Sequence, residues 1–216
     1  MKKESNNYLK SLVTRYPLLK ECEEAIMNAY RVLEDCFLQD RKLLIGGNGG
    51  SYADSEHIVG ELMKGFKNKR KCPKDFSMLL EKIDKKRGKE LSENLQVGLQ
   101  AISLGCHQSL NTAFANDVPN GGVLTFAQQV YGYGRNGDVF LGISTSGNSE
   151  NIINAAIVSK AKGMKIIALT GQNGGELAKV SDVAIKVPSC ETYIVQELHL
   201  PVYHCLCLML EERFFD

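Results

Sequence analysis

Side-chain hydroxyl groups crowd the segment 144–149, which reads STSGNS. It lies between an apolar run, 138–144, and a helical pattern that begins at 150. Because the first N–H groups of a helix are unpaired and its dipole adds partial positive charge, an anion binds there without a lysine. Each hydroxyl group can donate a hydrogen bond to a phosphate oxygen. The segment therefore predicts a site for a small phosphate at the end of a sugar, formed by these residues: Ser144, Thr145, Ser146 and Ser149.

Ordinary helix capping is the alternative for this segment, since Ser and Thr are favoured at helix starts. One serine would satisfy a cap, whereas four hydroxyl groups surround Gly147. The pattern therefore favours phosphate binding over capping.

A second glycine-rich loop, GGNGGS at 46–51, ends the apolar run 42–47. Asn48 and Ser51 can bond ligand oxygens, and glycines such as Gly49 let a ligand approach the backbone closely. His57 and Glu61 follow on the next helical pattern, at i and i+4, and so share one face. Such a pair suits acid–base chemistry or a divalent metal, although it is more often a simple surface hydrogen bond.

The last helical segment, 191–213, carries Gln196 and His204 about two turns apart on nearly the same stripe. His199 lies about 140° from His204 around the helix and should face elsewhere. The apolar run after His204 leaves two interpretations open. The histidine is either a chemical group of a site or a buried core residue.

Two nucleotide-binding motifs are excluded. A P-loop needs Gly-Lys-Ser/Thr, which the chain lacks, and the G-x-G-x-x-G at 132–137 precedes a strand instead of following one.

The segment 64–89 carries eleven Lys or Arg against three Asp or Glu. We interpret it as a solvated helical excursion, since the net charge of +1 gives no overall field for nucleic acid. Without a long apolar run, the chain is expected to be cytoplasmic and to bind no membrane.

The elements that must position these residues alternate between strand and helix. Nearly continuous apolar strands separated by helical patterns indicate a parallel sheet covered on both faces. The helix 19–37 precedes this alternation, and its wide apolar face suggests packing on another subunit. The predicted strands are 42–47, 99–103, 138–144, 165–171 and 183–189.

Three motifs together resemble one known family. GNGGS followed by H-x-x-x-E, then GISTSGNS, then VQELHLPVYH are similar to the sugar isomerase (SIS) domain, specifically to the phosphoheptose isomerases. The resemblance implies an α/β, flavodoxin-like three-layer sandwich with a five-stranded parallel sheet. It implies one domain, 1–216, with an N-terminal helical extension, 1–38, used for oligomerisation, and a basic helical insertion, 67–95. It further implies a homotetramer with active sites at subunit interfaces.

The same resemblance implies an aldose–ketose isomerase. Its substrate would be the seven-carbon sugar sedoheptulose 7-phosphate, its product a heptose 7-phosphate such as D-glycero-D-manno-heptose 7-phosphate, and its cofactor Zn²⁺. Glu61 would be the catalytic base and His204 the catalytic histidine. The implied zinc ligands are His57, Glu61, Gln196 and His204. The implied substrate contacts are Asn48, Gly49, Ser51, Asp117, Ser144, Thr145, Ser146, Ser149 and Gln196.

A non-catalytic function is the main alternative. One relative with an SIS domain binds the bacterial replication initiator and lacks the glutamate and histidine found here at 61 and 204. Their presence favours an enzyme. A third interpretation is a sugar-phosphate sensor whose basic segment contacts nucleic acid.

Overall fold

The computed structural model describes residues 5–215 of the chain, with side chains from residue 7. Two short 3-10 helices, Pro17–Cys22 and Leu104–Cys106, accompany the regular elements. The strands are β1 Leu43–Gly46, β2 Ala101–Ser103, β3 Val139–Ser144, β4 Lys165–Gly171 and β5 Val183–Val187. The helices are α1 Ser5–Arg15, α2 Glu23–Leu38, α3 Gly50–Met63, α4 Lys74–Ile83, α5 Lys85–Asn94, α6 Gln108–Asp117, α7 Gly121–Tyr133, α8 Glu150–Ala161, α9 Gly175–Val180 and α10 Thr192–Phe215.

The strands form one parallel sheet in the order β2-β1-β3-β4-β5. This is the flavodoxin-like strand order, which confirms the fold class predicted from the sequence. The order reverses between β1 and β3, where Gly46 pairs with Gly142. Ligands of open α/β sheets bind outside the carboxyl ends of the strands at such a reversal. The two loops with predicted site residues, 46–51 and 144–149, both begin there.

Alternate strand residues enter two hydrophobic cores on opposite faces of the sheet. Leu43 and Ile45 of β1 join one core with α1, α2, α3 and α10. Leu44 of the same strand joins the other core with α7 and α8. This period of two is the geometry of a strand buried on both faces, and it explains the nearly unbroken apolar sequence of these strands.

The apolar face of α2 is covered by the chain itself. Ile26, Tyr30 and Leu33 are buried, and α2 packs on β5 and α10. The argument from the sequence that this face needs another subunit was therefore wrong, because the sheet and α10 already cover it. Helix α1 lies within the helical extension that the resemblance implies, although no periodic pattern in the sequence indicated its bounds. It packs on α10 and buries Leu9 and Leu12.

Helix α3 ends at Met63, and the next residue, Lys64, has an extended backbone. The carboxylate of Glu211 on α10 accepts the backbone N–H groups of 66–68 at 2.7–3.2 Å. Arg70 pairs with this carboxylate at 3.0 Å and donates to the carbonyl groups of Glu61 and Leu62 at 3.0 and 2.6 Å. One buried ion pair therefore caps the end of α3 and attaches the following segment to α10.

The basic segment that follows folds as two helices, α4 and α5, packed on each other. Gly88 lies against the backbone of Leu80, where a Cβ would come within 2.3 Å of the carbonyl oxygen. Within the part of the chain that the structure describes, no helix is both long enough and apolar enough to cross a bilayer.

Candidate active site

The two glycine-containing loops are joined across the strand reversal by a pair of side-chain amides. Asn48, after β1, donates to Asn151 of α8 at 2.9 Å, and Asn151 donates back at 2.8 Å. Both amides are thus held at the carboxyl edge of the sheet. Asn48 and Gly49 also line a cavity of about 390 Å³ between this edge and helices α6 and α7.

The hydroxyl groups of the loop 144–149 bond to each other and to the loop backbone. The Oγ of buried Ser144 lies 2.9 Å from the Oγ of Ser149 and accepts the N–H of Gly147 at 3.1 Å. Ser149 immediately precedes α8, yet its side chain caps none of the N–H groups of that helix in the described chain. The capping alternative therefore fails at Ser149. The exposed Ser146 accepts the N–H of Asn148 at 3.1 Å.

Gly147 gives this loop its shape. Its φ is +69°, a conformation that favours glycine. A Cβ at this position would lie 2.0 Å from the carbonyl oxygen of Gly174. The carbonyl group of Thr145 also accepts the N–H of Gly171 at 3.0 Å. Backbone contacts with Gly171 and Gly174 therefore fix the loop before any ligand binds.

His57 joins two further groups from α3 and α10. Its Nε2 lies 3.3 Å from Oε1 of Glu61, on the same helix, and 3.4 Å from Nε2 of His204 on α10. The predicted carboxylate and imidazole thus both reach one ring nitrogen within a single chain. The second carboxylate oxygen of Glu61 lies 3.2 Å from Nζ of Lys64.

Burial lowers the pKa of His204, and nearby His57 and Arg15 lower it further, while Glu61 opposes the shift. His204 is therefore a neutral base near pH 7, because its ordinary pKa is about 6.5. A neutral imidazole can accept a proton from one atom and return it to another.

Gln196 lies where α10 passes the beginning of α3. A Cβ on Gly50 would come within 2.6 Å of its Nε2, so this glycine makes room for the amide. Ser51 is buried in the first turn of α3.

Asp117 is exposed at the end of α6 and accepts a hydrogen bond from Asn116 at 2.9 Å. Asp117 thus lies outside the His57 cluster, and its substrate contact stays a prediction.

Two residues beside this cluster were missed from the sequence. The Tyr203 hydroxyl donates to Oδ1 of Asp54 at 3.1 Å and lies 3.0 Å from Nδ1 of His57. Burial, together with Asp54, raises the pKa of Tyr203, which therefore keeps its proton. The spacing of Asp54 and His57, one helical turn apart, was the signal available in the sequence. Tyr203 gave none, because it lies within an apolar run.

Among residues 5–215, no three or more His, Cys, Asp or Glu side chains form a ready-made metal site. Two of the distances between predicted ligand atoms nevertheless match the spacing of zinc ligands. A tetrahedral zinc with bonds of about 2.0–2.1 Å holds its ligand atoms roughly 3.3–3.4 Å apart. The distances from His57 to Glu61 and to His204 are 3.3 and 3.4 Å.

Comparisons with known proteins match the chain to a family model and to nearly full-length relatives. The SIS domain model matches residues 119–171, which contain β3, the hydroxyl-rich loop, α8 and β4. A phosphoheptose isomerase of Aneurinibacillus thermoaerophilus is 35% identical over 97% of this chain and 96% of its own.

Two solved structures of phosphoheptose isomerases are also similar to the chain. The structure from Neisseria gonorrhoeae is 31% identical, with a TM-score of 0.71 over 97% of this chain and 94% of its own. The structure from Francisella tularensis is 29% identical, with a TM-score of 0.74 over 96% of each chain.

Proposed function

Because the chain belongs to the phosphoheptose isomerase family, we propose that it converts sedoheptulose 7-phosphate to D-glycero-D-manno-heptose 7-phosphate. The observation that carries this proposal is the convergence of Glu61 and His204 on His57. Aldose–ketose isomerisation requires a base for a carbon-bound proton and a second group for the oxygen-bound protons. The cluster supplies one carboxylate and one neutral imidazole for these two tasks.

The reaction proceeds through an enediol. Glu61 removes the proton from the carbon next to the carbonyl group and returns it to the neighbouring carbon. His204 moves a proton between the two oxygens, a task that suits its lowered pKa. Each positioned acid–base group contributes a factor of about 10²–10⁴ to the rate.

The hydroxyl-rich loop binds the phosphate end of the sugar. Its backbone is preformed, and the N–H groups at the start of α8 face the same edge of the sheet. Hydrogen bonds to a charged acceptor contribute about 1.5–3 kcal/mol each, so three or four suffice to hold a phosphate monoester. In this proposal, Asn48 and Ser51 contact the sugar hydroxyl groups.

Zinc is the proposed cofactor, and the types of side chain in the His57 cluster support it. His57, Glu61 and His204 would hold the ion, since zinc accepts imidazole and carboxylate ligands. Gln196 lies against Gly50 at the other end of α3, so its role as a fourth ligand rests on the family resemblance. When bound, zinc polarises the carbonyl and hydroxyl groups of the sugar.

We propose a homotetramer in which one subunit's phosphate loop meets another subunit's His57 cluster. Glu61 lies eleven residues beyond Gly50, where α3 leaves the edge of the sheet, or about 16 Å along the helix axis. The phosphate loop and the catalytic carboxylate of one chain are therefore well separated. A second copy brings the two parts of the site together.

The test is isomerisation of sedoheptulose 7-phosphate by the purified protein, with and without a chelator. Glu61→Gln should lower kcat at least about a hundredfold while substrate binding persists, because an amide cannot act as the base. Glu93→Gln, an exposed glutamate of α5, is the matched control and should retain wild-type activity. An inactive wild type, or full activity in Glu61→Gln, would refute the proposed mechanism.

A further inference from the structure

The hydroxyl group of Tyr203 lies between a carboxylate and His57. It donates to Oδ1 of Asp54 at 3.1 Å and lies 3.0 Å from Nδ1 of His57. Tyr203 is 2% exposed, so its hydroxyl group is largely shielded from water. Three side chains from α3 and α10 thus form a chain of hydrogen bonds that ends at the candidate site.

The direction of these bonds follows from donor and acceptor chemistry. An ionised carboxylate only accepts hydrogen bonds, so the Tyr203 hydroxyl donates its hydrogen bond to Asp54 and keeps its proton. The tyrosine oxygen can then only accept, and its partner is an N–H at Nδ1 of His57. A neutral imidazole with its proton on Nδ1 has its lone pair on Nε2. That nitrogen is the one that faces Glu61 and His204.

We propose that Tyr203 is a positioning residue that, backed by Asp54, holds His57 in the Nδ1–H tautomer with its Nε2 lone pair directed at the candidate zinc site. The inference rests on the proposed function, because it gives the lone pair a metal to bind. Metal-binding histidines commonly donate their other ring N–H to a fixed acceptor, which sets both tautomer and ring orientation. Here that acceptor is a phenol oxygen.

A competing arrangement makes the role of Tyr203 decisive. Nε2 of His57 lies 3.3 Å from Oε1 of Glu61, so a proton on Nε2 could be donated to that carboxylate. Such a bond would remove the lone pair and occupy the proposed catalytic base. The tyrosine oxygen opposes it by offering the other nitrogen an acceptor.

The first measurement is the tautomer of His57 in the metal-free protein. Ring ¹⁵N spectra at about pH 8, above the ordinary histidine pKa, distinguish a protonated from an unprotonated nitrogen. His57→Gln identifies the signals. We expect the proton on Nδ1 in the wild type and a shift toward Nε2 in Tyr203→Phe. A proton on Nε2 in the wild type, or an unchanged tautomer in Tyr203→Phe, overturns the inference.

The second measurement is zinc affinity, determined by competition with a chelator. Loss of such an outer partner typically weakens metal binding about 10–100-fold, and Tyr203→Phe should do the same. Tyr30→Phe is the matched control, because buried Tyr30 also donates to a carboxylate, that of Glu34, but lies on α2. It should leave zinc affinity unchanged. Equal affinity of Tyr203→Phe and wild type overturns the inference.

These readouts separate the inference from the proposed function. Neither requires turnover, so a wild type without isomerase activity would refute the function and leave the tautomer result standing. Conversely, an active enzyme with its His57 proton on Nε2 would keep the function and remove the role of Tyr203.

Discussion

At the scale of single residues, the hydroxyl groups of the loop 144–149 divide into two kinds. Ser144 and Ser149 bond to each other, and Ser144 also holds the N–H of Gly147. Ser146 is exposed, and its oxygen accepts one backbone N–H, which leaves its proton available for a ligand. Ser144 and Ser149 therefore shape the loop, whereas Ser146 can bind phosphate at little structural cost.

We therefore expect Ser146→Ala to raise KM for the phosphorylated ketose about tenfold or more, with kcat little changed. The reason is the loss of one hydrogen bond to a charged acceptor, worth about 1.5–3 kcal/mol. Steady-state kinetics measure the effect, and Ser92→Ala, at a partly exposed serine of α5, is the control. An unchanged KM would argue against phosphate binding at Ser146.

His199 is a second residue with a measurable consequence. It is fully buried, and neither ring nitrogen has a hydrogen-bond partner in good geometry within the described residues. Burial lowers its pKa to about 4, while the Thr170 backbone partly opposes this shift. The unfolded chain, with a pKa of about 6.5, therefore binds more protons than the folded one between these values. Its contribution to stability is complete above pH 6.5 and falls as the pH drops toward 4.

We expect this histidine alone to lower the free energy of unfolding by about 2 kcal/mol between pH 7.5 and pH 5. Urea unfolding of wild type and His199→Gln at both pH values measures it. The variant removes the titrating group, so its loss on acidification should be smaller by about that amount. Equal losses in the two proteins would show that His199 does not titrate as its burial requires.

At the scale of elements, the end of α3 depends on α10. The pair of Arg70 and Glu211 is buried, with side-chain exposures of 0% and 2%. Removing one partner leaves the other charge buried and unpaired, which costs about 3–5 kcal/mol. Arg70→Met should lower the free energy of unfolding by this amount in a denaturant titration. The carbonyl groups of Glu61 and Leu62 would also lose a donor.

The control for this change is Arg87→Met. Arg87 pairs with Asp84 at 3.4 Å on the surface, with side-chain exposures of 82% and 42%. Surface pairs contribute about 0–1 kcal/mol, so this variant should unfold almost like the wild type. Similar effects of the two variants would contradict a structural role for the buried pair.

The sequence predicted strongly apolar elements and missed polar ones. All five strands lie at the predicted positions, because burial on both faces requires continuous apolar residues. Helix α6 escaped notice because it is polar and has no buried residue among those described. Helix α1 has only a narrow apolar stripe, whose partner, α10, lies almost 200 residues away in the chain.

The candidate site was predictable to the extent that its residues share a local pattern. His57 and Glu61 are one turn apart, and the hydroxyl-rich loop is contiguous. The approach of His204 to His57 joins positions 147 residues apart, which helical periodicity alone does not indicate. Only the resemblance to a family suggested it. The contact between Tyr203 and Asp54, 149 residues apart, was missed because neither periodicity nor the family pattern pointed to it.

At the scale of the whole molecule, the hydroxyl-rich loop proposed to bind phosphate and the proposed acid–base cluster lie in different parts of the fold. The loop lies at the carboxyl edge of the sheet, and α3 then carries His57 and Glu61 away from that edge. Since α10 covers the same face and supplies His204, the cluster forms within one chain. The oligomeric assembly therefore decides whether the loop and the cluster of one site come from one chain or from two.

Subunit complementation answers that question. Glu61→Gln removes the base, and Ser146→Asp places a negative charge where phosphate binds, so each variant alone should be inactive. If every site combines the loop of one subunit with the cluster of another, randomly mixed oligomers should regain about one quarter of wild-type activity. Co-expression with two different tags, followed by tandem purification and kinetic assay, measures this recovery. Mixed oligomers without activity would show that each chain holds a complete site, because every chain then carries one of the two lesions.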